Sequence, residues 1–180
     1  MKTIKVLILL ISVGMIFGCA TPARVDQMAA RPTGVMSASM PEQLHNNIRV
    51  TSVIGGDETN PLWTSEISSS DFKSALVESL RSAGLLAELR SGGEYDLEAT
   101  LLDVEQPLIG LDFTVTTRVR YNLIDRDSRR RLLDTEIVQS HTATFSDAAY
   151  GVERLRLANE GAARKNIEEL IRQISELQTP

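Results

Sequence analysis

Few side chains in this sequence invite a chemical reading. They are one cysteine, Cys19, two histidines, His45 and His141, and an arginine cluster at Arg126, Arg129, Arg130 and Arg131. A thiolate is the strongest nucleophile of that set and the natural point for attaching a group covalently. A metal site would need the two histidines to meet, with no second cysteine and no H-E-x-x-H pair to complete it, so no metal and no cofactor is expected. G-x-S-x-G and phosphate-loop patterns are also absent. Guanidinium forks such as those of Arg126, Arg129 and Arg130 suit phosphate oxygens, but Asp125, Asp127 and Asp134 are interleaved with them, so a solvated hairpin turn is the alternative. Two apolar loops complete the set, "NPLWTSEI" with Trp63 and "QPLIGLD" with Leu108, Ile109 and Leu111. They either fold back over the core or contact a partner. The reading is non-catalytic; the alternative is an enzyme whose site is assembled from carboxylates that no motif reveals.

The position of Cys19 says more than its chemistry. Lys2 and Lys5 precede an uncharged run from Val6 to Gly18, the size of a signal-peptide core and too short to span a bilayer of about 30 Å as a helix. Ile16-Phe17-Gly18 before Cys19 resembles a bacterial lipobox, in which the cysteine is acylated before cleavage, although Phe17 is bulkier than the usual spacer. The resemblance implies a signal peptide over residues 1–18 and acyl chains, palmitate among them, on Cys19. Two or three such chains hold a protein stably where one holds it marginally, since each buried methylene contributes about 0.8 kcal/mol. Ala20 stands where the inner-membrane retention signal would place an aspartate, so the lipoprotein resemblance implies the outer membrane and its periplasmic face.

Without Lys2 and Lys5 the 19 basic side chains become 17 against 24 acidic, a balance of about −7, which argues against nucleic acid as a partner. A single cysteine allows no intramolecular disulfide, so the core must stabilise itself.

The elements that position these residues follow from periodicity. Residues 19–46 have scattered prolines and no sustained period and read as a lipid-anchored tether, part of which could lie on the domain through Val25, Met28, Val35 and Met40. A single domain over 47–180 begins with an alternating strand at 48–54. Phe72, Ala75, Leu76, Leu80 and Ala83 then mark a helix capped by Ser70 and stopped by Gly84, and "LLAEL" reads as a short strand. Alternation from Tyr95 through Ala143 predicts a three-strand antiparallel meander. Parity sets its two hairpins at residue sums near 218 and 256, which places Arg120 between Glu98 and Glu136 on the wet face and His141 on the inner one. A long helix from about 152 to 177 carries Leu155, Ala163, Ile167, Leu170, Ile171, Ile174 and Leu177 along one apolar stripe. Two helices and one apolar sheet face make an α+β two-layer sandwich with both helices on one face.

"FKSALVESLRSAGL", "YDLEATLLDVE" and "NIEELIRQISEL", in the order strand, helix, meander, helix behind a lipobox, resemble the small Gram-negative outer-membrane lipoproteins related to the lipopolysaccharide-assembly lipoprotein that plugs its translocon barrel. The resemblance implies a binding or scaffold role in envelope biogenesis, with a glycolipid or barrel protein as partner, and carries over no functional residue.

Overall fold

The computed structural model describes residues 21–31, 40–59, 65–89 and 92–177. Four strands form one sheet in the order β1-β2-β3-β4: β1 (Ile48–Gly55), β2 (Tyr95–Glu105), β3 (Phe113–Asp125) and β4 (Arg131–Ala143). β1 runs parallel to β2, and the other neighbours are antiparallel. Parallel neighbours need a crossover, and helix α2 (Ser69–Ser82) supplies it. Helix α3 (Gly151–Ser175) lies over β3 and β4, while α2 lies over β1. Both helices therefore cover one face, in a two-layer α+β sandwich.

Alternation decides which face is dry. Leu97, Ala99, Val115, Val119, Tyr121, Leu123 and Ile137 point inward and meet Leu155, Ala162, Ile167, Leu170 and Ile174 of α3. At the centre of that contact is a buried polar group. The Tyr121 hydroxyl donates to Asn166 Oδ1 at 2.9 Å, and Asn166 Nδ2 donates to Ile137 O at 3.0 Å and to Thr117 Oγ1 at 3.2 Å. Burial pushes the Tyr121 hydroxyl well above the usual tyrosine range, so it stays a donor.

The structure corrects the sequence reading in three places. The cap of α2 is Ser68, not Ser70: Ser68 Oγ accepts from Asp71 N at 3.1 Å and donates to Asp71 Oδ2 at 2.8 Å. "LLAEL" forms a single parallel bridge, Leu86 beside Ile48, because the Leu85 and Leu86 amides donate to Leu80 O in the last turn of α2.

The meander's first hairpin pairs Leu97 with Leu123 and Thr100 with Arg120, two residues from the expected register, and a bulge follows between Leu101 and Asp103. A shift of two keeps every apolar side chain inward, so alternation could not separate the alternatives. Arg120 does lie on the wet face, but Glu98 faces Asn122, and Glu136 instead accepts from both Arg118 at 2.9 Å and Arg120 at 3.2 Å. The second hairpin has the expected sum, as in Val119 with Ile137.

Part of residues 19–46 lies on the domain, as the apolar Val25, Met28 and Met40 suggest, while Val35 falls outside the described residues: helix α1 (Val25–Met28) wedges between α2 and α3, and Ala23, Met28, Ala30, Met40 and Leu44 are core residues. Alanines and methionines with prolines nearby show no period, yet they fill the gap between two helices.

Candidate functional site

One end of the sheet gathers the C-terminal ends of β1, β2 and β4, the start of β3 and the start of α3. Here the chain enters the domain. Ala23 N donates to Glu66 O at 3.4 Å, and buried Glu160 of α3 accepts from Arg24 N at 3.0 Å and Arg24 Nε at 3.1 Å. That carboxylate pushes the Arg24 guanidinium up, through its hydrogen bond first and its charge second. The foot of hairpin 106–112 is tied to the same place. Gln106 Nε2 donates to Glu66 Oε2 at 2.7 Å, to Ser65 O at 3.2 Å and to Asn159 Oδ1 at 3.3 Å, while Asn159 Nδ2 donates to Ser65 O at 2.7 Å.

From this braced foot project Leu108, Ile109 and Leu111, 91%, 90% and 75% exposed. The neighbouring connection, 144–150, exposes Phe145 and Tyr150. It is braced as well: Asp112 Oδ1 accepts from Phe145 N at 3.0 Å, and Thr144 N donates to Asp147 at 2.7 Å. The latter bond holds the Asp147 carboxyl below its usual range. The Arg154 guanidinium lies 5.2 Å from the Phe113 ring and 5.3 Å from the Phe145 ring, and donates to Ala148 O and Ala149 O. These apolar side chains are thus exposed on loops that hydrogen bonds hold in place.

The other expected residues lie elsewhere. Cys19 and Trp63 fall outside the described residues. Arg126, Arg129 and Arg130 are at the opposite end of β3, whose 13 residues span roughly 40 Å. There Arg126 donates to Gly93 O, Arg129 takes a left-handed backbone (φ 60°) in the turn, and Asp125 accepts from the Asp127 and Ser128 amides. Those amide bonds, Ser128 first, hold Asp125 low, so the arrangement works as a turn. Exposed His45 sits beside Gly84, whereas His141 faces inward against Gly161 of α3. No group of three His, Cys, Asp or Glu side chains that could hold a metal occurs among the described residues.

A concave surface that the sequence reading missed runs along the open edge of β1. Its volume is about 770 Å³, and Arg49, Lys73, Val77, Arg81 and Leu86 are among its lining residues. Lys73, Val77 and Arg81 recur every four residues, which would have placed them on one helix face. Two of its cations are already engaged, Arg49 with Asp96 at 2.7 Å and Lys73 with Thr51 O at 3.3 Å. Among the described residues, hydrogen bonds hold the carboxyl groups of Asp26, Asp125, Glu136, Asp147 and Glu169 below their usual range.

No family model matches this chain, and no curated protein matches it. Solved structures do. A Xanthomonas campestris protein of the DUF330 family shares 13% identity over 72% of this chain and 83% of its own, with a TM-score of 0.54. A hypothetical protein from Chlamydia trachomatis shares 10% over 72% and 95%, with a TM-score of 0.51. A minor lipoprotein from Acinetobacter baumannii shares 11% over 73% and 93%, at 0.48. At these identities the first two likenesses show a shared fold and no more. Among the described residues no helix is long and apolar enough to cross a membrane.

Proposed function

We propose that this chain is an outer-membrane lipoprotein, acylated on Cys19 and facing the periplasm, with a non-catalytic role. It binds or scaffolds another envelope component, a barrel protein or a glycolipid. The basic start, the apolar run and Ile16-Phe17-Gly18 support the anchor. The observation that carries the binding role is the braced apolar tip, because three aliphatic side chains left in water on a well-tied hairpin are a surface built to be covered.

A photo-activated side chain at position 111 tests this reading in intact envelopes. It should capture an envelope component, protein or lipid, and the double substitution Leu108→Ser, Ile109→Ser should abolish that capture. Because both side chains are already in water, the melting temperature should fall by no more than about 2 °C. A large loss of stability with capture intact would show that the loop serves the core, and absence of any adduct would contradict the binding role.

A further inference from the structure

We infer that the component met by Leu108, Ile109 and Leu111 is the acyl layer of the membrane that holds Cys19, which makes hairpin 106–112 a second, non-covalent membrane contact. The inference rests on the acylation proposed above. Its first support is chain length. Ala23 is already buried in the domain, and only three residues lie between it and Cys19, four steps with a reach of roughly 14 Å when fully extended. The domain therefore has no long tether and must sit at the bilayer surface.

The second support is orientation. Ala23 and Gln106 both bond to Glu66, and Leu108 is two residues beyond Gln106, so the end that faces the anchor is the end that carries the tip. A gap of roughly 14 Å holds lipid headgroups or one packed helix of about 10–12 Å, but not another folded domain.

The chemistry of this end agrees. The tip has three aliphatic side chains with no charge from Gln106 to Leu111, and Phe145 and Tyr150 stand beside it where aromatic rings favour the headgroup level. Asp112 and Asp147 are engaged in local hydrogen bonds, and the Arg154 guanidinium at this end is taken up by the Phe113 and Phe145 rings and the carbonyls of Ala148 and Ala149. The surface therefore fits a neutral bilayer, and its contact with lipid should be insensitive to salt. Arg126, Arg129 and Arg130 are at the far end of the sheet and face away from the anchored leaflet.

The test uses the acylated full chain purified from membranes and reconstituted in zwitterionic phosphatidylcholine–phosphatidylethanolamine vesicles. Acylation blocks the Cys19 sulfur, so an Ile109→Cys variant can be labelled with bimane at that position alone; an Arg129→Cys variant is the control. Both positions are exposed, and unchanged thermal unfolding confirms that each variant folds. Brominated acyl chains should quench the label at 109 several-fold more than the label at 129, and 0.5 M salt should not alter this. Equal quenching at the two positions, on protein that mass spectrometry shows to be acylated, overturns the tip contact and leaves the anchor standing. An unmodified Cys19 removes both. Capture by the position-111 probe of a protein in place of lipid also overturns it.

Discussion

The contact between Tyr121 and Asn166 pins helix α3 to the sheet, and with it Asn159 and Glu160, which brace the tip and the incoming chain. Both side chains are fully buried, so neither can turn to water when its partner is removed. Tyr121→Phe removes one donor and leaves Asn166 Oδ1 without its tyrosine partner, at a cost of about 1.5 kcal/mol. Asn166→Leu is worse: it orphans the Tyr121 hydroxyl and deletes the bonds to Thr117 and Ile137 O, which we put at about 3 kcal/mol. For a domain of this size that is a fall in melting temperature of about 9 °C. The double variant replaces a buried polar pair by an apolar one, so it should cost at least about 1 kcal/mol less than the sum of the single effects. Urea unfolding followed by circular dichroism measures all three. Strict additivity, or an Asn166→Leu variant as stable as the parent, would refute the claim that this network holds the two layers in register.

Three further outcomes follow from the packing of α3. A Cβ on Gly161 would fall on the His141 ring, so Gly161→Ala should destabilise the domain by about 1–3 kcal/mol despite its better helix propensity, and adding His141→Ala should restore most of the loss in thermal unfolding. His141 itself is held below the ordinary histidine range, by burial first and then by the charges of Lys165 and Arg164, with Asp147 opposing. Its neutral form is favoured in the fold, so its contribution is complete above the unfolded value near 6.5 and is lost as pH falls from there through the lower folded value; His141→Asn should flatten that part of the stability profile. Glu160→Ala removes the carboxylate that receives Arg24, so hydrogen exchange at the Met28 and Ala29 amides should accelerate while the strands stay protected; unchanged exchange would show that apolar packing alone holds α1.

Period two and period 3.6 carried most of the architecture. Leu97, Val119, Tyr121 and Ile137 alternate, and Leu155, Ile167, Leu170 and Ile174 recur along a helix, so their faces were legible without coordinates. What was hidden is physically of another kind. The register of the first hairpin depends on where the bulge between Leu101 and Asp103 falls, and alternation is blind to a shift of two. Ala23 and Ala30 join the core through irregular backbone on either side of α1, whose reason is the space between two helices, a property of the assembled layers. The aliphatic tip could be named from "QPLIGLD", but not its neighbours: Ala23, Glu66, Gln106 and Glu160 are scattered along the chain and come together only when the sheet and α3 are in place. In the sequence Asn166 is one polar residue within a long helical stretch, and only its opposite number, Tyr121, gives it a purpose.

The anchor underlies everything said about how this domain meets the membrane, and the mass of the native chain tests it directly. Protein purified from envelopes without proteolysis should begin at Cys19, lack residues 1–18, and carry the extra mass of two or three acyl chains on that residue. A chain that retains the signal segment ahead of an unmodified Cys19 would contradict the account.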